Sequence, residues 1–219
     1  MERVLDLDRW KRRDHYEFYK DFDLPFFNVC AEMDVTQLVR AVRDLGHSYF
    51  FASLYLATRA CNDIEELRLR IRDGAVILHD VVHPGSTVLN EDETFGFCYF
   101  NYVPTYSDFA TSACATMARY HASRDRLRPE AGRDNLIYYS VLPWIAFTSF
   151  AHARSLQRRE SIPRIVFGKY RESGAAASMP VSVEVHHALV DGIHVGRFYH
   201  RFQELLNRSS EVLMDGVKV

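Results

Sequence analysis

The spacing of apolar residues changes between the period of a helix and the period of a strand along this chain. Apolar residues recur at helical spacing from Leu38 to Leu45, from Ser48 to about Cys61, and from Ile193 to Leu205. Leucine or isoleucine alternates with arginine from Leu67 to Arg72, which is the period of a strand with one buried face. The pattern therefore predicts interleaved helices and strands.

Capping and turn residues limit these elements. Asp34-Val35-Thr36-Gln37 resembles a capping box before the first of these helices, and Gly46 is its predicted stop. Asp73-Gly74 is a two-residue hairpin signal, and Ser107 is predicted to open a helix that runs to about Arg126. The other predicted elements are a short strand and a helix within 1–20, strands at 76–78, 95–99, 136–142, 164–170 and 180–186, and a turn at 171–176 that contains Gly174.

Helices at the beginning, middle and end of the chain, interleaved with many strands, predict an α/β (α+β) fold. Such a pattern is typical of a mixed β-sheet covered by helices. The chain has no internal repeat, low-complexity segment or Pro/Gly/Ser linker, so residues 1–219 are interpreted as one domain. Its 219 residues, 47% of them hydrophobic, can supply one sizeable core.

Composition and charge exclude some function classes. The formal net charge of −2 disfavours a general nucleic-acid or anionic-membrane surface. No apolar run approaches the roughly 20 residues of a spanning helix, and the charged N-terminus lacks a signal-peptide pattern, so we expect a cytoplasmic protein without membrane contact. The four cysteines are scattered without a Cys-x-x-Cys pair, which predicts buried thiols and neither a disulfide framework nor a zinc site.

The candidate chemistry lies in one stretch near the C-terminus, His186-His187-Ala188-Leu189-Val190-Asp191-Gly192. It follows an alternating strand and precedes a helical pattern, a place where an imidazole can be held rigidly and still meet a ligand. Histidine titrates near neutrality and suits proton abstraction. The alternative is a strand-end histidine that bonds only to backbone. The alternation places His186 on the opposite side, and we expect no metal because further ligands at zinc-like spacing are missing.

Several motifs together resemble the chloramphenicol acetyltransferase family. The His-His-x-x-x-Asp-Gly stretch alone is also similar to other CoA-dependent acyltransferases and to condensation domains of peptide synthetases. The resemblance becomes specific because further motifs follow in family order over almost the whole length: Trp10–Tyr19, Glu93-Thr94-Phe95, Ser140–Trp144 with Phe147–Phe150, Gly168-Lys169-Tyr170, and His194–Arg197.

The resemblance implies a two-layer subunit and an activity. The implied reaction is transfer of acetyl from acetyl-CoA, the co-substrate, to the 3-hydroxyl of chloramphenicol, which inactivates the antibiotic. The resemblance also implies a homotrimer with active sites at subunit interfaces. His187 of one subunit would face Ser140, Tyr19 and Phe95 of the next.

The resemblance also implies the catalytic roles. His187 matches the general base, and Ser140 matches the serine that stabilises the oxyanion of the tetrahedral intermediate; a strand serine can instead bond only to backbone. Asp191 has three interpretations: a triad member that orients His187, the N-cap of the last helix, or the partner of Arg12 in an ion pair that holds the loop. We favour the ion pair.

The remaining matches concern substrates. Lys169 matches a lysine near the CoA phosphate, and Trp144 a residue of the pantetheine channel. Tyr19, Leu24 and Phe95 match the antibiotic pocket; without the resemblance all three would be core residues. Two positions depart from the family.

Val166 stands where the family usually has a threonine that helps to hold a water, and His152 stands where the pocket usually has a leucine. These departures keep open an acyltransferase that acts on a different alcohol or amine. A homologue that binds the drug without turnover is the second alternative, and the presence of His187 and Ser140 argues against it.

Overall fold

Ten strands and six helices form the chain in the computed structural model, which describes residues 1–123, 125–130, 132–155 and 160–215. The strands are β1 Glu2–Val4, β2 Phe26–Asp34, β3 Leu69–Arg72, β4 Ala75–His79, β5 His83–Leu89, β6 Phe95–Tyr99, β7 Leu136–Leu142, β8 Arg164–Gly168, β9 Arg171–Ser173 and β10 Ala176–His186. The helices are α1 Arg13–Tyr19, α2 Thr36–Leu45, α3 Tyr49–Asn62, α4 Tyr106–Ala122, α5 Gly192–Asn207 and α6 Ser209–Met214.

The larger sheet has the strand order β2-β10-β8-β7-β5-β6, and β9 pairs with β10. Strand β7 is parallel to β5 and to β8, whereas the other pairs in this sheet are antiparallel. The sheet is therefore mixed, as predicted. A second sheet of order β1-β4-β3, which the pattern did not predict, carries the N-terminus of the chain.

Strand β10 is buried on both faces. Val181, Val183 and Val185 lie in the hydrophobic core with helices α3 and α5. The alternate residues Ser182 and Glu184 point to the opposite face and are buried as well. A strand enclosed in this way gives a rigid platform for the residues that follow it. Among the described residues, no helix combines the length and apolar character needed to cross a bilayer.

The predicted helix and turn signals act as expected at several positions. Gly46 ends α2 with a φ of +67°, in the left-handed region that favours glycine. The predicted capping box at Asp34–Gln37 does not form: Val35 is the N-cap, and the Asp34 carboxylate accepts the N–H of Thr36 at 2.8 Å instead of that of Gln37. Asp73 and Gly74 both have positive φ and join β3 to β4 in a tight hairpin.

Other predicted boundaries are wrong. Leu67 belongs to a 3₁₀ turn, and the strand begins only at Leu69. Helix α4 stops at Ala122, before the predicted Arg126. Strand β8 ends at Gly168, and β10 already starts at Ala176 because β9 pairs with it in a hairpin around Gly174. The pattern also missed β2 and β5. Strand β2 does carry a period-two signal, because Phe27, Val29, Ala31 and Met33 alternate with Asn28, Cys30, Glu32 and Asp34, so this strand was predictable from the sequence.

Candidate active site

His187 lies one residue beyond β10, where the chain turns toward α5. Its backbone N–H donates to the carbonyl oxygen of Pro25 at 2.7 Å. The Tyr19 ring stacks on the imidazole with ring centres 4.2 Å apart and planes 5° apart, and Phe27 packs against it at 4.6 Å. The side chain of His187 is 31% exposed. The imidazole is thus fixed by backbone and two aromatic rings and still reaches solvent.

The Tyr19 stack corrects one part of the expected assembly. The structure brings Tyr19 onto His187 of the same chain, so the expectation that Tyr19 of a neighbouring subunit faces this histidine is wrong. The reason is the position of α1, the helix that ends at Tyr19. Arg12 directly precedes this helix and is paired with Asp191, and the pair anchors α1 beside the histidine loop.

Arg12 and Asp191 form a largely buried ion pair. The Arg12 guanidinium donates to both carboxylate oxygens of Asp191 and, at 3.2 Å, to the backbone carbonyl oxygen of His187. Only 5% of the Arg12 side chain is exposed, and this burial lowers the pKa of the guanidinium. One cation therefore contacts both ends of the loop from 187 to 191 and closes it.

The three interpretations of Asp191 can be compared with this geometry. Nδ1 of His187 is buried and lies 3.2 Å from Oδ1 of Asp191, but it has no aligned hydrogen bond to any described residue. The carboxylate thus places a negative charge near the ring without the aligned bond of a triad. Asp191 also occupies the N-cap position of α5. The ion pair with Arg12 and the N-cap position fit the structure better than the triad.

His186 faces away from His187. Its Nδ1 accepts the N–H of Ala188 at 3.2 Å, and the ring meets the edge of Phe26 at 4.9 Å. Burial, aided by the charge of Arg154, lowers the pKa of His186 to about 4. A histidine that is neutral and bonded locally has a packing role, as the sequence pattern predicted.

Ser140 lies on β7 with its hydroxyl available to a ligand. The residue is half-buried, and its hydroxyl has no hydrogen-bond partner within the described parts of the chain. It pairs in register with Val166 on β8, which in turn pairs with Ser182 on β10. Ile165 and Phe167, on either side of Val166, lie in the core, so Val166 and its register partners belong to the opposite face.

The strand register separates Ser140 from His187 within one chain. Two strand spacings lie between β7 and β10, and Ser182 precedes His187 by five residues. With spacings of about 4.8 Å between strands and about 3.3 Å per residue, the separation is on the order of 19 Å. One chain therefore does not bring the predicted base and the predicted oxyanion donor to the same substrate atom.

The two departures from the family pattern differ in polarity. Val166 is fully buried. His152 packs edge-on against Phe150 at 4.8 Å, and burial lowers its pKa to about 4. Its Nε2 is buried and lacks a hydrogen-bond partner among the described residues. The neutral ring thus holds a polar atom that a ligand could bond.

The predicted CoA-binding residues lie close together. Lys169 is exposed, and its backbone N–H donates to the carbonyl oxygen of Ile145 at 2.9 Å, which places it beside the turn that carries Trp144. The Trp144 side chain is 63% exposed and lines a cavity of about 200 Å³ with Leu89 and Met117. Trp144 is therefore not a core residue, which is the usual position of a lone tryptophan.

The predicted antibiotic-binding residues are divided between two edges of the sheet. Leu24 is exposed just before β2 and lines an open cavity of about 870 Å³, together with Arg154 and His186. Phe95 is exposed on β6 and packs on Phe97. Strands β2 and β6 are the opposite edges of the large sheet. One chain therefore does not join Leu24 and Phe95 in one pocket.

One group of potential metal ligands occurs among the described residues, in and beside the three-stranded sheet. Ligand atoms of Glu2, His79 and Asp134 lie within 4.8 Å of one another. The guanidinium of Arg72 donates to both carboxylates, with distances between 2.6 and 3.1 Å. The positive charge that these carboxylates bind is thus the Arg72 guanidinium, and the cluster shares no element with the histidine loop.

Sequence reasoning missed two buried pairs near the site. Arg154 lies over the Phe26 ring at 3.3 Å and donates to the Glu184 carboxylate. A glutamate in the middle of a buried strand was the available signal, because a buried charge needs a partner. His194 is buried, its Nδ1 accepts the N–H of Asp191 at 2.9 Å, and its Nε2 lies 3.2 Å from Glu66.

Comparison with known proteins gives a consistent result. The family model for chloramphenicol acetyltransferase matches residues 2–203. Chloramphenicol acetyltransferase 3 of Escherichia coli is 33% identical over 93% of this chain and 96% of its own length. Chloramphenicol acetyltransferase 2 of Haemophilus influenzae is 30% identical over 91% of this chain and 94% of its own length.

Solved structures confirm the predicted fold class. A chloramphenicol acetyltransferase matches with a TM-score of 0.85 and 26% identity, over 94% of this chain and all of the other. The dihydrolipoamide acetyltransferase of Azotobacter vinelandii matches with a TM-score of 0.66 and 16% identity, over 91% and 88% of the two chains, a likeness in fold alone.

Proposed function

The chain belongs to the chloramphenicol acetyltransferase family of acyltransferases, and from this premise we propose that it transfers acetyl from acetyl-CoA to the 3-hydroxyl of chloramphenicol. The observation that carries the proposal is the fixed imidazole of His187. Its Nδ1 is buried next to Asp191, so Nε2 is the ring nitrogen left for a substrate. A partly exposed imidazole in fixed orientation suits a general base.

The proposed reaction needs one base and one oxyanion donor. Nε2 of His187 takes the proton of the 3-hydroxyl while its oxygen attacks the thioester carbonyl carbon. The hydroxyl of Ser140 donates to the oxyanion of the tetrahedral intermediate. When the intermediate collapses, the carbon–sulfur bond breaks, and the CoA thiolate takes the proton from the imidazolium. Lys169 and Trp144 would contact CoA.

The separation of about 19 Å within one chain supports an active site shared between two chains. We infer that His187 of one subunit meets Ser140 and Phe95 of the next subunit in a homotrimer. A cyclic trimer with one such interface per pair would hold three equivalent sites. The opposite positions of Leu24 and Phe95 on the sheet support the same arrangement, because one pocket needs both.

The first experiment measures thiol release from acetyl-CoA with and without chloramphenicol. We expect release that depends on the drug and disappears in His187→Ala. His200→Ala is the matched control, because His200 is an exposed histidine on α5. Drug-dependent release that survives in His187→Ala would refute the assigned base. If folded wild-type protein binds chloramphenicol without releasing the CoA thiol, it is a drug-binding protein and not an enzyme for this drug.

A subunit-mixing experiment tests the shared site. Ser140→Ala and His187→Ala chains with different tags are expressed together, and assemblies that carry both tags are purified. Each mixed trimer then contains one interface with an intact histidine facing an intact serine, so about one third of wild-type activity should return. Sites within single chains predict no recovery, since every chain lacks one of the two groups.

A second candidate is acyl transfer to a different alcohol or amine. The specific observation is the buried Nε2 of His152, which lacks a partner among the described residues where a pocket of the family is usually apolar. A polar acceptor group could satisfy this atom. The thiol-release assay with a panel of alcohols and amines distinguishes the two candidates. A better kcat/KM for another acceptor would favour this candidate.

A further inference from the structure

His194 and Glu66 form a buried pair that the proposed reaction does not use. His194 is the third residue of α5, and Glu66 lies in the 3₁₀ turn Glu65–Arg68 that precedes β3. The side chain of His194 is almost fully buried, and that of Glu66 is largely buried. These two residues connect the start of α5 with a different part of the core.

The hydrogen-bond partners select one tautomer of His194. Its Nδ1 accepts the backbone N–H of Asp191, so the ring proton lies on Nε2, which faces Oε1 of Glu66 at 3.2 Å. The hydrogen bond from His194 lowers the pKa of Glu66 to about 2, so the carboxylate stays charged at ordinary pH. The Glu66 carboxylate therefore stabilises the tautomer with the proton on Nε2, in which Nδ1 can accept the N–H of Asp191.

Asp191 is consequently held at two places. Its backbone N–H is bonded to His194, and its carboxylate is bonded to Arg12, which also donates to the carbonyl oxygen of His187. We propose that Glu66 and His194 are positioning residues for His187, which they align by fixing the backbone of Asp191. This proposal rests on the proposed role of His187 as the base. A base that moves by about 1 Å can lose on the order of 100-fold in rate.

A second pair on the same helix provides the matched control. Nε2 of His200 lies 3.1 Å from Glu204, and both side chains are well exposed. This pair is chemically the same as His194–Glu66 but does not contact the loop. Variants of His200 therefore report what the loss of a histidine–glutamate pair on α5 does by itself.

The two nitrogens of His194 can be replaced separately. In His194→Asn, the amide oxygen is in the place of Nδ1 and can still accept the N–H of Asp191. In His194→Gln, the amide NH₂ can reach Glu66, but the acceptor for Asp191 is lost. We expect His194→Gln to lower kcat about ten-fold or more, with the KM for acetyl-CoA within about two-fold, and His194→Asn to keep kcat within about three-fold. His200→Gln and His200→Asn should resemble wild type.

Equal losses in His194→Gln and His194→Asn, or wild-type kcat in both, would overturn the proposal. If the pair were only structural, the loss in kcat would follow the loss in stability, whichever nitrogen of His194 is replaced. A second pair of variants covers the case in which a His194 variant does not fold. Glu66→Gln keeps an acceptor for Nε2 of His194 and should keep kcat. Glu66→Leu removes the group that fixes the His194 tautomer and should lower kcat about ten-fold.

Hydrogen exchange gives a readout that does not depend on turnover. The Asp191 amide should exchange slowly in wild type and in His194→Asn, and at least about ten-fold faster in His194→Gln. Fast exchange in wild type would overturn the proposal. If wild-type protein releases no CoA with any acceptor, the proposed function has failed. The exchange data then still decide whether His194 holds Asp191.

Discussion

Substitution of the two ends of the Arg12–Asp191 pair should have unequal effects on stability. The side chain of Arg12 is 5% exposed, whereas that of Asp191 is 26% exposed. Asp191→Asn keeps the shape and the N-cap capacity of the residue but leaves a buried guanidinium without its counter-charge. Arg12→Met removes the cation, fills a similar volume, and leaves a carboxylate that water can partly reach.

The magnitudes follow from the burial of the group that remains. Removal of one partner from a buried pair costs about 3–5 kcal/mol. We expect about 3 kcal/mol for Asp191→Asn, since the charge of Glu66 also acts favourably on Arg12. Arg12→Met should cost about 1–2 kcal/mol, because the remaining carboxylate keeps some hydration. The double variant should resemble Arg12→Met, so the coupling energy equals the cost of Asp191→Asn, about 3 kcal/mol.

Urea unfolding at one fixed protein concentration measures these differences, with the midpoint read from circular dichroism. The matched control is the exposed pair Arg208–Glu211, in which Glu211→Gln should leave the urea midpoint close to that of wild type. The rate of thiol release should also fall in Asp191→Asn, because the ion pair with Arg12 that closes the loop from 187 to 191 is lost. The reasoning is refuted if Asp191→Asn matches Glu211→Gln in stability and wild type in activity.

Three further predictions concern other parts of the molecule. Ser140→Ala should lower kcat at least about 100-fold, as expected for one oxyanion donor; a loss of only a few-fold in steady-state assays would exclude that role. Gly96→Ala should lower the free energy of unfolding, measured by urea titration, by about 2 kcal/mol, because the added Cβ would lie 2.4 Å from the carbonyl oxygen of Arg126. The control is Gly196→Ala, where the Cβ has open space and the change should be neutral or stabilising. The pKa of His186 is lowered to about 4, so the unfolded chain binds more protons and stability should fall by up to about 3 kcal/mol as pH drops from 6.5 to 4. Urea midpoints across this pH range should fall less steeply in His186→Gln, although not to zero slope, because the pKa of His152 is also lowered to about 4.

The sequence predicted those elements whose signals are local. Gly46 and Asp73-Gly74 mark turns because only particular residues adopt positive φ without strain, and the structure has such angles there. Strand β2 was missed although Phe27, Val29, Ala31 and Met33 alternate with more polar residues along it. The pairing of β1 with the predicted hairpin was missed for a physical reason, since Glu2 and His79 are distant in sequence and meet only in the fold.

Residue types in motifs predicted which side chains belong to the candidate site, but not how they are arranged. Tyr19 shows the limit: the motif suggested a role near the histidine, yet only the structure brings it onto His187 of its own chain. Glu66 had no signal at all, because an acidic residue in a charged turn looks like any solvated residue. Its partner His194 lies far away in sequence, so the pair exists only after folding.

The register of the large sheet limits the candidate mechanism most strongly. Ser140 pairs with Val166 on β8, which pairs with Ser182 on β10, and His187 follows Ser182 by five residues. Side-chain rotation does not close the resulting separation of about 19 Å, so the two groups act on one acetyl group only if a second chain supplies one of them. Recovery of activity in mixed assemblies, from two variants that are each inactive alone, is therefore a direct test of the shared site, because a residue without its assigned role would leave its own variant active.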